Sequence, residues 1–106
     1  MAIITPETVT TTGLEPTVRT PSVGGDKVPV GSRIRVTNGT AGSIIFTMTT
    51  HQSVDGNLVV PDRVEAIPAS EVRYFLASGI YRNPADGYVD ILSSDTTASV
   101  DLEVTI

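Results

Sequence analysis

The sequence predicts an all-β fold, a small antiparallel sandwich or barrel-like domain of about seven or eight short strands. Three observations carry that expectation. First, Val, Ile and Thr make up 38 of the 106 residues; these side chains suit a pleated, half-buried surface and lose rotamer freedom in helices. Second, apolar residues recur at every second position in several short runs, the spacing that puts one face of a strand into a core. Third, turn-forming residues separate these runs at nearly regular intervals, and no stretch shows the period of an amphipathic helix. The length allows one domain with a single modest core. With two Phe, three Tyr and no Trp, that core must be aliphatic.

The first 25 residues read differently from the rest, and the expected division is an extended arm, 1–25, before a sandwich domain, 26–106. Thr occupies positions 5, 8, 10, 11, 12, 17 and 20, Pro occupies 6, 16 and 21, and Gly24-Gly25 closes the stretch as a flexible junction. Glu7 to Thr12 can pair as an edge strand bounded by Pro6 and Pro16. Fully extended, twenty residues reach about 65 Å. From Asp26 onward, Arg33-Ile34-Arg35-Val36-Thr37 alternates with Ile34 and Val36 inward, and Asn38-Gly39 offers a positive-φ hairpin turn into Ser43 to Thr49, where Ile44, Phe46 and Met48 share a face. The runs around Leu58-Val60 and Val64-Ile67 are bounded by Pro61 and Pro68, which places them at an edge. In Glu71 to Leu76, Val72, Tyr74 and Leu76 alternate with Arg73 and Phe75; Ile80-Tyr81 resumes the run. Asn83-Pro84-Ala85-Asp86-Gly87 is a turn, Val89 and Ile91 share a face, and the closing run places Val100, Leu102, Val104 and Ile106 inward.

Charge and chemistry narrow the function. Seven basic against twelve acidic residues give a net charge of −5, whereas nucleic-acid affinity rests on clustered Lys and Arg; no nucleic-acid partner is expected. No run approaches transmembrane length, and Met1-Ala2-Ile3-Ile4-Thr5-Pro6 has neither the basic nor the long apolar region of a signal peptide, so no membrane partner and no secretion are expected. Cysteine is absent and His51 is the single histidine, so neither a thiolate metal site nor a nucleophilic triad can be assembled. The carboxylates Asp55, Asp62, Glu65, Asp86 and Asp90 could supply a glycosidase-like pair, but surface and turn roles account for them. Asp55-Gly56-Asn57 and Asp86-Gly87 lack the spaced ligands of a calcium loop, and Gly24-Gly25-Asp26-Lys27 lacks the helix of a phosphate cradle. Asn38-Gly39-Thr40 matches a glycosylation sequon and is read as a turn. The expectation is a non-enzymatic protein without cofactor or metal.

Several landmarks together resemble small β-rich virion proteins of tailed bacteriophages, those of the head-decoration type. They are Gly13-Leu14-Glu15-Pro16-Thr17 in the arm, Gly24-Gly25-Asp26-Lys27-Val28, Ile34-Arg35-Val36-Thr37-Asn38-Gly39, Ile67-Pro68-Ala69, Tyr81-Arg82-Asn83, Asp86-Gly87-Tyr88-Val89-Asp90-Ile91 and the closing strand. Lys27-Val28-Pro29 departs from the polar or aromatic residue that follows Gly-Gly-Asp in the group. The resemblance implies a capsid decoration (cement) protein on the outer surface of the shell, made in the host cytoplasm, with the major capsid protein as partner, and a homo-oligomer such as a trimer on local three-fold positions. A head-to-tail or tail component is the next form. Partner contacts are expected from Leu14, Pro16, Thr17, Val18, Arg19 and Pro21. A carbohydrate- or receptor-binding module is the alternative, using loops 50–57 and 82–88 with Tyr81, Tyr88 and His51 facing the ligand.

Overall fold

The computed structural model describes residues 2–51, 53–54, 58–59 and 61–106, with only the main chain described for 53, 54, 58 and 59. In chain order the strands are β1 (Ala2–Ile3), β2 (Asp26–Pro29), β3 (Arg33–Asn38), β4 (Ile44–Met48), β5 (Ser53–Val54), β6 (Leu58–Val59), β7 (Arg63–Ile67), β8 (Val72–Leu76), β9 (Tyr88–Ser93) and β10 (Val100–Thr105). The fold is all-β, as the alternation predicts. A five-stranded sheet runs β1-β2-β9-β4-β7, a three-stranded sheet runs β10-β3-β8, and β5 and β6 form a small hairpin of their own. A 3-10 turn, Gly79–Tyr81, replaces the strand expected to resume at Ile80.

The core lies between the two sheets. Ile34 and Val36 of β3, with Val100, Leu102 and Val104 of β10, face Val28, Ile44, Phe46, Met48, Ile67, Val89 and Ile91. Phe46 of the larger sheet meets Phe75 of the smaller one with ring centroids 4.5 Å apart and planes tilted by 31°, so an offset aromatic pair pins the layers together. Each fully buried aliphatic side chain contributes roughly 1.5–3 kcal/mol. Ile106, expected inward, is 59% exposed, because the sandwich ends at Val104.

One local expectation is overturned. Arg33–Asn38 and Ile44–Met48 do not form a hairpin across Asn38-Gly39: β3 pairs antiparallel with β10 and β8, while β4 lies in the other sheet between β7 and β9. Asn38-Gly39 is a corner at which the chain changes sheets. The reason is visible in the side chain of Asn38, which is fully buried. Its Nδ2 donates to the carbonyls of Gly42, Ile67 and Pro68 at 2.8, 2.9 and 3.1 Å, and its Oδ1 accepts from the amide and hydroxyl of Thr40 at 2.9 and 2.6 Å. Gly39 is needed for closeness and not for positive φ: a Cβ there would stand 2.5 Å from the Ser99 carbonyl oxygen.

Residues 2–25 lie back against the body. Ala2–Ile3 pairs parallel with β2, and Ile4 enters the core. The chain then crosses to the other sheet, where Glu7 bridges Thr105 and Arg19 bridges Leu102 on β10. One side of the sandwich is thereby closed by its own N-terminal segment. The Gly24-Gly25 pair forms a turn in which Gly25 N donates to the Ser22 carbonyl at 3.0 Å; Gly25 has φ +97° and approaches the Ile91 carbonyl so closely that a Cβ would lie 2.6 Å from its oxygen.

Candidate interaction surface and its charged neighbour

The arm residues singled out from sequence are held in a defined loop. Glu7 N donates to the Val104 carbonyl at 3.0 Å and Ile106 N to the Glu7 carbonyl at 2.9 Å, while Arg19 and Leu102 exchange two bonds of 2.8 and 2.7 Å. The two ends of the 7–19 segment therefore meet β10 three positions apart, which makes the segment a compact Ω-like loop. The Glu7 carboxylate tightens it by accepting from Thr17 N at 2.6 Å. A turn at Thr10–Gly13 forms its tip, with Gly13 at φ +91°. Within the loop, Thr17, Val18 and Arg19 are exposed and Leu14 and Pro16 half-buried; Pro21, beyond it, is buried. Pro21 is thus part of the clasp and does not offer a free contact surface.

The clasp has an anchor that sequence reading missed. Asp26, which opens β2, is buried; its Oδ1 accepts from Ala2 N at 3.3 Å and its Oδ2 from Ser22 N at 3.0 Å. One carboxylate therefore ties both ends of the arm to the larger sheet. The signal available beforehand was an acid directly after two glycines and before an apolar strand.

Beside the loop, Pro16, Arg33, Arg35, Tyr74, Glu103 and Thr105 line a shallow groove of about 330 Å³ on the outer face of the three-stranded sheet. Register explains the grouping, since Arg35 stands between Glu103 on β10 and Tyr74 on β8, and Arg33 between Thr105 and Leu76. Arg35 Nη1 bonds Glu103 Oε1 at 3.0 Å, leaving Arg35 Nε buried without a partner. Arg33 is exposed and forms no ion pair among the described residues. This surface sets the exposed Arg33 guanidinium beside an exposed aromatic ring, Tyr74, in an otherwise acidic chain.

A second cluster contains the side chain of His51, one of the three residues expected to face a ligand, but not those of Tyr81 or Tyr88. Lys27 Nζ lies 2.7 Å from Asp86 Oδ2 and 2.6 Å from Asp90 Oδ1. His51 Nε2 is 2.6 Å from Asp90 Oδ2, to which Asn83 Nδ2 also donates at 3.4 Å. The hydrogen bonds that Lys27 donates to Asp86 and then to Asp90 raise its pKa above the ordinary value. Asp86 is held below the usual carboxylate range by the Lys27 ammonium and the Tyr88 amide. Burial pushes Asp90 upward, but the bonds from Lys27 and His51 outweigh it and leave its pKa lowered. Of the expected loops 50–57 and 82–88, the described residues His51 and Asn83 meet at Asp90, and Asp86 meets Lys27, so these polar groups pair with one another. Tyr81 packs against the core and Tyr88 is half-buried.

The remaining carboxylates have local roles. Asp62 accepts from Thr50 N at 2.8 Å, Glu65 pairs with Arg63 at 2.9 Å, and Asp55, Gly56 and Asn57 lie outside the described residues. No helix among the described residues is long and apolar enough to cross a membrane, and no group of metal-ligating side chains occurs among them. Comparison of the chain with family models, with curated proteins and with solved structures returned no match.

Proposed function

We propose that the chain is a non-enzymatic structural protein of a tailed-phage particle, a decoration protein that binds the outer surface of the capsid shell through its Ω-like loop and the adjacent groove. The supporting observation is the loop itself: a segment of exposed Thr, Val and Arg residues, fixed at both ends to β10, beside the exposed Arg33 guanidinium, which forms no ion pair among the described residues. A surface held rigid before contact loses little entropy on docking. On a symmetric shell, many such modest contacts multiply through effective concentration. The exposed guanidinium of Arg33 suits a partner surface rich in carboxylates or main-chain carbonyls.

The test is binding of the full chain to undecorated capsids. Val18→Asp and Arg33→Glu replace exposed side chains and leave the core intact, so each is expected to weaken binding at least about tenfold, a loss of about 1.4 kcal/mol, with an unchanged thermal transition. Unaltered binding by both variants would overturn the surface assignment. Copy number in purified particles separates the two positions in the virion, many copies spread over the shell for decoration against a single ring for a neck or tail component.

A further inference from the structure

We propose that the open edge of β8 pairs antiparallel with β8 of a second copy, about a two-fold axis through Tyr74, to make one continuous six-stranded sheet. The inference does not depend on the particle assignment, and its failure would leave that assignment standing.

The hydrogen-bonding parity of the strand is fixed by the bonds that bracket it. Asn38 N donates to the Glu71 carbonyl and Ala77 N to the Ser32 carbonyl, each at 2.9 Å, and these pairs continue the β3–β8 register at its two ends. In an antiparallel ladder bonded and non-bonded pairs alternate, so Ile34–Phe75 and Val36–Arg73 exchange the bonds to β3. The amides and carbonyls of Val72, Tyr74 and Leu76 therefore point to the free edge. Both main-chain polar groups of Tyr74 lack a partner among the described residues. The carbonyls of Val72 and Leu76 each accept one bond, from Arg73 Nη1 and Ser78 N, and keep a second lone pair.

The side chains along this edge are those of a buried strand. Tyr74 is 74% and Leu76 57% exposed, and Val72 is half-buried beside them. Natural sheet edges are usually blunted by charge, proline, short length or a covering segment. Each other edge of the sandwich carries such a device: β10 is covered by the arm, β1 is only two residues long, and β7 lies between Pro61 and Pro68 and carries Arg63 and Glu65. On β8 the single charge, Arg73, has its side chain on the face opposite Tyr74, and its guanidinium, engaged by Glu71 at 2.8 Å, reaches the edge only at the Val72 carbonyl, at 3.1 Å.

The strand is complementary to itself in one register. With Tyr74 opposite its own copy, Val72 meets Leu76 of the partner, Arg73 meets Phe75, and three bonded pairs form along all five residues. Shifting by two positions one way brings Arg73 opposite Arg73, a like-charge contact. Shifting the other way shortens the overlap, and a one-residue shift sets outward-pointing groups against inward-pointing ones. A two-fold dimer is the closed arrangement that this self-complementarity selects, in place of the trimer implied by resemblance. It would also set the two Arg33–Arg35 grooves side by side on one face.

Light scattering and sedimentation of the full chain should show a concentration-dependent dimer. Tyr74→Pro removes an edge amide that the isolated domain does not use, a substitution that edge strands tolerate. It should raise the dimer dissociation constant by about a hundredfold or more without altering the circular dichroism. The chain has no cysteine, so Tyr74→Cys reports the axis directly: bonded pairs have Cα atoms about 5.5 Å apart, within disulfide range. Oxidation should yield a covalent dimer from Tyr74→Cys and little from Val64→Cys on β7. A monomer at all concentrations overturns the proposal. So does a dimer that survives Tyr74→Pro, or equal cross-linking of the two cysteine variants; loss of that dimer only when the arm is altered would assign the contact to the arm.

Discussion

The two edges of the three-stranded sheet meet solvent in opposite ways. β10 has Glu7 and Arg19 laid along it and presents no run of unpaired main chain, whereas β8 presents Val72, Tyr74 and Leu76 with their outward amides uncovered. Both strands have the same neighbour, β3, and they differ in composition, β10 alternating apolar with polar residues and β8 carrying apolar residues on both faces, but composition alone does not set the difference in coverage. The arm sets it. Intramolecular strand coverage costs only the ordering of one loop, and the domain applies it on one side alone.

If the arm is an integral part of the covered edge, undoing it must cost stability, while changes at the open edge must not. The largest effect is expected from Ile4→Ala, which empties a core position at the point where the arm crosses between sheets; urea unfolding should show a loss of about 2–4 kcal/mol. Asp26→Ala comes next, because it strands the amides of Ala2 and Ser22. The expected loss is about 1–3 kcal/mol, with faster hydrogen exchange at Ser22. Asp26→Asn keeps an acceptor and should recover part of it.

The charged cluster flanking β2 gives a smaller, two-ended pH dependence. Asp86 and Asp90 have pKa values lowered from 3.8, so the unfolded chain takes up protons first, and their contribution is complete above about pH 4 and lost as the pH falls through the depressed values. Lys27 is raised from 10.5; its contribution is complete below that value and lost as the pH rises through the higher one. Thermal scans across this range should show a plateau falling at both ends, and Lys27→Met should flatten it. The smallest effect is expected from Tyr74→Pro in the dilute monomer, within about 0.5 kcal/mol. A large loss there would show that β8's outer edge is already in use within the chain.

Much of the sheet structure is legible in the sequence because alternation is local. The inward sets Ile34/Val36, Ile44/Phe46/Met48 and Val100/Leu102/Val104 follow from period two alone, and Pro61 and Pro68 correctly mark β7 as an edge. Sheet membership is a different matter. Asn38-Gly39 reads as a hairpin because its preference for tight turns is local, while the bonds that make it a corner reach Ile67 and Pro68 nearly thirty positions on. In β8 both faces carry apolar residues, so pattern alone cannot say that Phe75 packs inward and Tyr74 outward. The clasp at Asp26 was hidden because nothing in its neighbourhood announces a partner at residue 2. The groove was hidden because Arg33, Arg35, Tyr74 and Glu103 come from three strands joined only by register.

The bridges from Glu7 to Thr105 and from Arg19 to Leu102 also set a schedule. At a synthesis rate of about 5–20 residues per second, the arm leaves the ribosome several seconds before the strand it will cover exists. During that interval the amides of Glu7 and Arg19 lack the partners they have on β10, and the β-rich chain must complete its longest-range pairing last, the slow route for such topologies. The newborn chain thus passes through a stage at which the arm is free to be taken up by another molecule, and the arrival of residues 100–105 ends it.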